Sequence, residues 1–235
     1  MTTQEILQQL EEFGNEGTKK VLMKHGAKEP LFGVKVQDLK KIVKKVKKNY
    51  ELSKELYATG NSDAMYLAAL IADEKQMTKE DLQTWVKSAY WSYLSEYAVP
   101  WVASETEYGM ELALEWIDSD DENIAAAGWS VLGCRTTVIP DEEIDKKKYR
   151  ELLKRAEKNV HNTNDRRAYT MNGFVIAVGS SVPELTEYAK EIGARIGKVK
   201  VDMNGTACKV PLVKEYIEKV ESKGRIGNKK KTARC

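Results

Sequence analysis

"DDENIAAAGWSVLG", residues 120–133, opens with acidic and amide residues suited to capping a helix and runs straight into alanine, glycine and large apolar side chains. The same order recurs in "NSDAMYLAALIA" (61–72) and in "TNDRRAYTMNGFVIAVG" (163–179). Each of the three is followed by a turn and then by a more polar helical pattern. Small residues let an inner helix approach its neighbours closely, and each pair then buries its face against the next. This pattern predicts a solenoid of antiparallel helix pairs. The alternative is an ordinary helical domain whose amphipathic helices merely look alike.

Periodicity away from these segments is helical almost everywhere. "VQDLKKIVKKVKKN" (36–49) aligns Val36, Leu39, Ile42, Val43 and Val46 on one stripe, with lysines on the other face. "KEDLQTWVKSAYWSYLSEYA", "YGMELALEWI" and "KKYRELLKRAEKNV" keep the same period. "KVKVDM" (198–203) is the one short candidate strand. The class expected is all-α, as a single repeat domain over residues 1–222 followed by a basic tail, 223–235. A chain of 235 residues with 42% hydrophobic content can bury a sizeable core, and five prolines with no long biased tract argue against extended disorder.

Several function classes find no support. The first twenty residues carry neither a secretory nor a transit pattern, and no apolar run reaches the roughly 18–20 residues of a membrane span. Cys134, Cys208 and Cys235 lack metal-ligand spacing, and the two histidines, His25 and His161, stand far apart. Neither a Walker loop nor a GxGxxG run is present. A cytoplasmic protein with no metal site, no nucleotide cofactor and no other cofactor is expected.

Charge is uneven. From Ser88 to Cys134 there are nine acidic residues and no lysine or arginine, so a net charge of +2 leaves +11 on the remainder. Lysines 40, 41, 44, 45, 47 and 48 crowd one helix, and "KGRIGNKKKTARC" holds six basic residues. Such runs are the electrostatic footprint of a polyanion partner such as nucleic acid, although a lysine face also occurs simply as a solvated one. The tail reads as a clamp on the DNA backbone. Cys208, followed by Lys209, reads as a buried inert thiol.

"AYWSYLSEYAVPW" (89–101) gathers five aromatic rings around one carboxylate. On a helix Tyr93 and Tyr97 lie one turn apart with Trp101 beyond. Pro100 has no amide to offer the carbonyl of Glu96, which predicts a kink or helix end and leaves Glu96 at a distorted turn among rings. A carboxylate so placed stabilises a developing cation or orients water, and the rings stack on a base or hold a cation. The competing reading is that the rings are inter-helix packing and Glu96 faces solvent.

"WSYLSEYAVP" (91–100) resembles, in register, the Trp-Trp-Asp-x-Val-Asp-x-x-Val-Pro segment of the DNA alkylation repair family, HEAT-like repeat glycosylases that remove alkylated purines. "SDDENIAAAGWSVL" resembles that family's next repeat and "NGFVIAVG" the one after it, so the resemblance spans roughly residues 30–220. It implies a right-handed α-α superhelix with a concave basic face that reads a distorted duplex backbone. Glu96 falls on the catalytic aspartate, Trp91 and Phe174 on lesion-facing tryptophans, Ser92 on another, and Tyr93 on the first aspartate. The family's functional arginine falls on Gly128, and Arg135, Arg166 and Arg167 are the nearest substitutes. DNA or lesion binding is thus expected of Trp91, Tyr93, Phe174, Arg135, Arg166, Arg167, Lys40, Lys44, Lys47, Lys48, Lys229, Lys230 and Lys231, with Glu96 catalytic. N3- and N7-alkylated purines are cationic and leave through an oxocarbenium-like transition state, so a carboxylate and π-faces suffice without a cofactor. Three functions follow: an alkylpurine DNA glycosylase, a non-catalytic binder of distorted or branched DNA, or a helical scaffold for another protein.

Overall fold

Side chains start the helices where the repeats begin. Asn61 accepts from the backbone N–H groups of Asp63 and Ala64, Asp121 from those of Asn123 and Ile124, and Asn164 from that of Arg167. Each satisfies donors that have no partner in the first turn of a helix. The computed structural model describes residues 1–203 and 208–235, and among these it contains thirteen α-helices and no strand.

The helices are α1 (Thr3–Glu12), α2 (Glu16–Lys24), α3 (Val36–Val46), α4 (Tyr50–Ala58), α5 (Ser62–Ile71), α6 (Lys79–Ser88), α7 (Val99–Ser104), α8 (Gly109–Trp116), α9 (Glu122–Val138), α10 (Lys146–Asn159), α11 (Asp165–Ser181), α12 (Thr186–Ile196) and α13 (Val213–Glu221). None is long and apolar enough to cross a membrane. Helices α5, α7, α9, α11 and α13 pack in succession as one layer, and α4, α6, α8, α10 and α12 lie against it as a second. The paired, repeating architecture expected from the three capped segments is present.

Different chemistry holds each layer. Small residues set the spacing around the inner layer: a Cβ on Gly128 of α9 would lie 2.7 Å from the backbone nitrogen of Ile117 at the end of α8, across the two layers, and one on Gly179 of α11 would lie 2.3 Å from Ile217 Cδ1 on its inner-layer neighbour α13. The outer helices are tied by polar side chains, Lys79 to Glu111, Gln83 to Glu115, and Arg195 to Glu157. Much of the acidic stretch is consumed here, since Asp118 likewise pairs with Arg155.

Two local expectations are corrected. The pattern over 79–98 is not one helix: α6 stops at Ser88, where the Tyr90 hydroxyl is drawn off to the backbone N–H and C=O of Lys28, and the Trp91 indole donates to Ser62 at 2.9 Å. Tertiary hydrogen bonds override a continuous helical period there. Residues 198–203 form no strand; the backbone N–H of Asp202 donates to Asp165 at the start of α11.

Candidate nucleic-acid interface

Pro100 shapes the centre of the inner layer. Residues Tyr93–Ala98 form a π-helical turn that leads into α7, and the N–H of Val99 reaches back to the carbonyl of Leu94. The residue inserted by this wider turn lets the chain pass a proline that offers no N–H, and such bulges often re-aim a side chain. The re-aimed side chain is Glu96. Glu96 is 5% exposed, and its carboxylate receives Nε and Nη2 of Arg166, each at 2.5 Å.

Arg166 comes from the first turn of α11. Its own backbone N–H donates to Glu122 at 2.9 Å, and its guanidinium stands 4.7 Å from the Tyr169 ring centre. Burial outweighs the opposing pull of Arg166 and leaves the Glu96 carboxyl above the ordinary glutamate value. A planar guanidinium fits a carboxylate two bonds at a time, and lysine would not replace it. Glu96 is therefore neither in solvent nor bare among rings.

The rings form a connected ladder. Trp91 stacks on Tyr93 with centroids 4.7 Å apart, Tyr93 meets Tyr97 edge-on at 5.9 Å, and Tyr97 meets Trp101 at 5.9 Å. Tyr97 is 37% exposed, whereas Trp91 and Trp101 are buried. The stretch is divided: its tryptophans pack the core and its tyrosines open outward. Tyr97 and Tyr169 join the site only in three dimensions, although the one-turn spacing from Tyr93 to Tyr97 points to the first.

Several expected contacts are committed elsewhere. Phe174 is 1% exposed and packed against Trp129 and Tyr149, and it also lines the cavity bordered by Tyr97 and Tyr169. Arg135 does not substitute beside Glu96; it donates to the carbonyls of Ser104 and Thr106 and closes the end of α7. Arg167 donates to the carbonyl of Ser119 at 2.8 Å. Gly128 meets α8 rather than open space, so an arginine there would force two helices apart. Of the three substitutes only Arg166 reaches the carboxylate.

The lysines divide similarly. Lys40 and Lys44 are exposed along α3 and Lys47 at its C-terminal end, while Lys48 is paired with Glu74. The tail is neither loose nor a free clamp over its whole length. Lys229 donates to the carbonyls of Thr136 and Ser181, 2.8 Å each, which end α9 and α11, and also pairs with Asp141. Ala233 donates to Glu105, Arg234 pairs with Glu74 and Glu105, and the Cys235 thiol meets the Tyr66 hydroxyl. The strap thus runs across the ends of α11, α9, α7 and α5. Lys230 and Lys231 remain exposed on it. Cys208 is exposed rather than buried, and the glycine-rich turn before it lies outside the described residues.

Comparison with known proteins agrees with this geometry. The model of the DNA alkylation repair enzyme family matches residues 6–197. The chain belongs to that family. Two uncharacterized Listeria proteins are similar to this DNA alkylation repair family member: one from Listeria monocytogenes, 32% identical over 229 residues, and one from Listeria innocua, 31% identical over 229 residues. Each alignment covers 95% of this chain and 99% of the relative. A solved structure described as a new family related to the HEAT-like repeat DNA glycosylases, with affinity for branched DNA structures, superposes with a TM-score of 0.92. It is 38% identical, with all of both chains covered. The fold is therefore HEAT-like.

Proposed function

We propose that this protein binds branched or otherwise distorted DNA through its inner helix layer and does not excise alkylated bases. The observation that carries this is the ion pair. A carboxylate accelerates glycosidic cleavage by meeting a developing positive charge with a negative one. Both oxygens of Glu96 already meet a guanidinium, in a site 5% exposed. The pair presents no net charge to a departing purine.

Binding has its own support. The neighbour with affinity for branched DNA matches this chain over its whole length. Tyr97 and Tyr169 border a cleft between α7, α9 and α11, Lys230 also lines it, and exposed Lys40 and Lys44 lie on α3 with Lys47 at its C-terminal end; the first residue of that helix shares a pocket with Trp91 and Tyr93. Lysines on phosphates and rings on unstacked bases are the usual means of gripping a branch without reading sequence.

Excision of N3- or N7-alkylated purines is the second reading, favoured by Glu96 standing in register with the family's aspartate. The test measures a four-way junction and a duplex of the same sequence by electrophoretic mobility at two salt concentrations, with release of 7-methylguanine followed from alkylated duplex. Tighter, salt-sensitive junction binding without release is expected. Release by the wild type that vanishes in Glu96→Gln would establish the glycosylase instead.

A further inference from the structure

The C-terminal ends of the inner helices share one edge of the fold, and the strap runs along it. Lys229 donates to the carbonyls of Thr136 on α9 and Ser181 on α11, and the Lys230 backbone N–H donates to the carbonyl of Thr137 at 2.7 Å. Thr232 and Arg234 reach Glu105, the residue that ends α7. Arg234 also pairs at 3.1 Å with Glu74, just past the end of α5. Glu74 receives Lys48 as well, and the backbone N–H of Asn49 donates to the carbonyl of Ile71 at 2.8 Å, so the end of α3 meets the same edge. Helix C-termini carry partial negative charge, and Glu74, Glu105 and Asp141 add carboxylates beside them. Bare, that edge would repel a phosphate backbone. Each of the three carboxylates instead has a strap cation against it, Arg234 on the first two and Lys229 on the third.

Further lysines stand out from this neutralised edge. Lys44 and Lys47 are exposed at the α3 end, and Lys230 and Lys231 are exposed where the strap crosses α9. Packed helices lie about 8–10 Å apart, so the steps from α3 through α5 and α7 to α9 span about 24–30 Å, a little under one turn of B-DNA, ~34 Å. Two cationic clusters at that separation suit one length of duplex backbone. We infer that this edge is a track for a single duplex arm, held by Lys44 and Lys47 at one end and by Lys230 and Lys231 at the other. The inference rests on the proposed DNA binding and adds which lysines act on the same arm. The strap does not close over the DNA; it makes the helix ends acceptable to phosphate and supplies half of the contacts. Exposed Glu142 and Glu143 follow Asp141 towards α10 and bound the track on its outer side. Lys230 also lines the cleft with Tyr97 and Tyr169, so an arm on this track passes beside the rings.

Duplex length provides the test. Two hairpins are used, one about two turns long (~20 base pairs) and one about half a turn (~5 base pairs), with a four-way junction alongside. Affinity is read by fluorescence anisotropy over a salt series for the wild type, for Lys44→Gln with Lys47→Gln, for Lys230→Gln with Lys231→Gln, and for all four together. The urea midpoint of each variant checks that it folds. Glutamine keeps the reach of the side chain and places no new demand on position 47, where φ is 60°. On the long hairpin each pair of substitutions is expected to lower the slope of log affinity against log salt by about 1.8, and all four by about 3.6, at about 0.9 per phosphate. The short hairpin cannot span both clusters. Its wild-type slope should be lower by about 1.8, and either pair of substitutions alone should change it by less than about 0.5, since the other cluster takes over. A long-hairpin slope that either pair leaves unchanged would overturn the inference, as would a short hairpin that keeps the full slope or a wild type that binds neither hairpin. So would two clusters that act together only on the junction, because they would then hold different arms. The expected slopes with a junction bound no better than the long hairpin would uphold the track and sink the preference for branched DNA alone.

Discussion

Glu96 and Arg166 lie 70 residues apart in the chain and share two parallel hydrogen bonds of 2.5 Å, joining the π-helical turn before α7 to the first turn of α11. The pair neutralises a buried carboxylate and fixes the relative position of two inner-layer elements.

Removing one partner should cost more than removing both. Arg166→Met leaves a carboxylate in a site that burial has already made hostile to charge, whereas Glu96→Gln with Arg166→Met leaves only neutral groups. For fully buried pairs the loss of one partner costs about 3–5 kcal/mol; Arg166 is a quarter exposed, so about 2–3 kcal/mol is expected for Arg166→Met, with at least half regained in the double variant. Urea unfolding of the four proteins in the cycle measures this. A double variant as unstable as Arg166→Met would mean that the pair is not the source of the loss.

The strap should let go in acid. Burial pushes the Glu74 carboxyl up, but hydrogen bonds from Lys48 and Arg234 outweigh it and hold it below the ordinary glutamate value. A group depressed in the folded state adds stability above its unfolded pKa, about 4.3, and loses it as pH falls through the folded value. Hydrogen exchange of residues 229–235 should therefore show protection at pH 6 that declines below about pH 4, before the helices of the inner layer lose theirs. Simultaneous loss everywhere would show that Glu74 does not govern the strap.

The sequence revealed the repeats because capping and small-residue signals are local: Asn61, Asp121 and Asn164 each announce a helix within a few residues. It also revealed the distorted turn, because Pro100 lacks an N–H whatever surrounds it. The partner of Glu96 was legible only as one of three arginines, since the pairing spans two repeats and depends on where α11 meets α7. The docking of the strap was hidden for a related reason. "KGRIGNKKKTARC" has no apolar face, and what docks it is a lysine on two helix ends and an arginine between two glutamates, contacts made by residues 93 and 160 positions apart. Asp63 shows the same limit: it read as part of a cap, yet its carboxylate accepts the backbone N–H groups of Phe32, Gly33 and Val34 and anchors the loop before α3.

Restoring the arginine of the family pattern should not restore a site. A Cβ at position 128 already meets Ile117 and Ala113 within 2.9 Å, so Gly128→Arg must separate α8 from α9. Overpacking of this kind costs typically 1–3 kcal/mol, and burying a charge without a partner adds to it. The variant is expected to lose at least about 3 kcal/mol in urea unfolding and to release no alkylated base. A stable variant would mean that the two helices part easily at this point.

Salt dependence separates the lysines that touch phosphate from those spent on the fold. Each neutralised phosphate contributes about 0.9 to the slope of log affinity against log salt. Lys40 and Lys44 are exposed on α3 and Lys47 at its C-terminal end, whereas Lys229 is held by two carbonyls and a carboxylate. Replacing the three α3 lysines by alanine should lower the slope for a four-way junction by about 2–3 and leave the urea midpoint nearly unchanged. Lys229→Ala should do the reverse, lowering stability by roughly 1–3 kcal/mol as the carbonyls of Thr136 and Ser181 lose their donor, with the slope altered by less than about 0.5. If the α3 variant binds with the wild-type slope, the phosphates lie elsewhere, and exposed Lys230 and Lys231 on the strap become the next to replace.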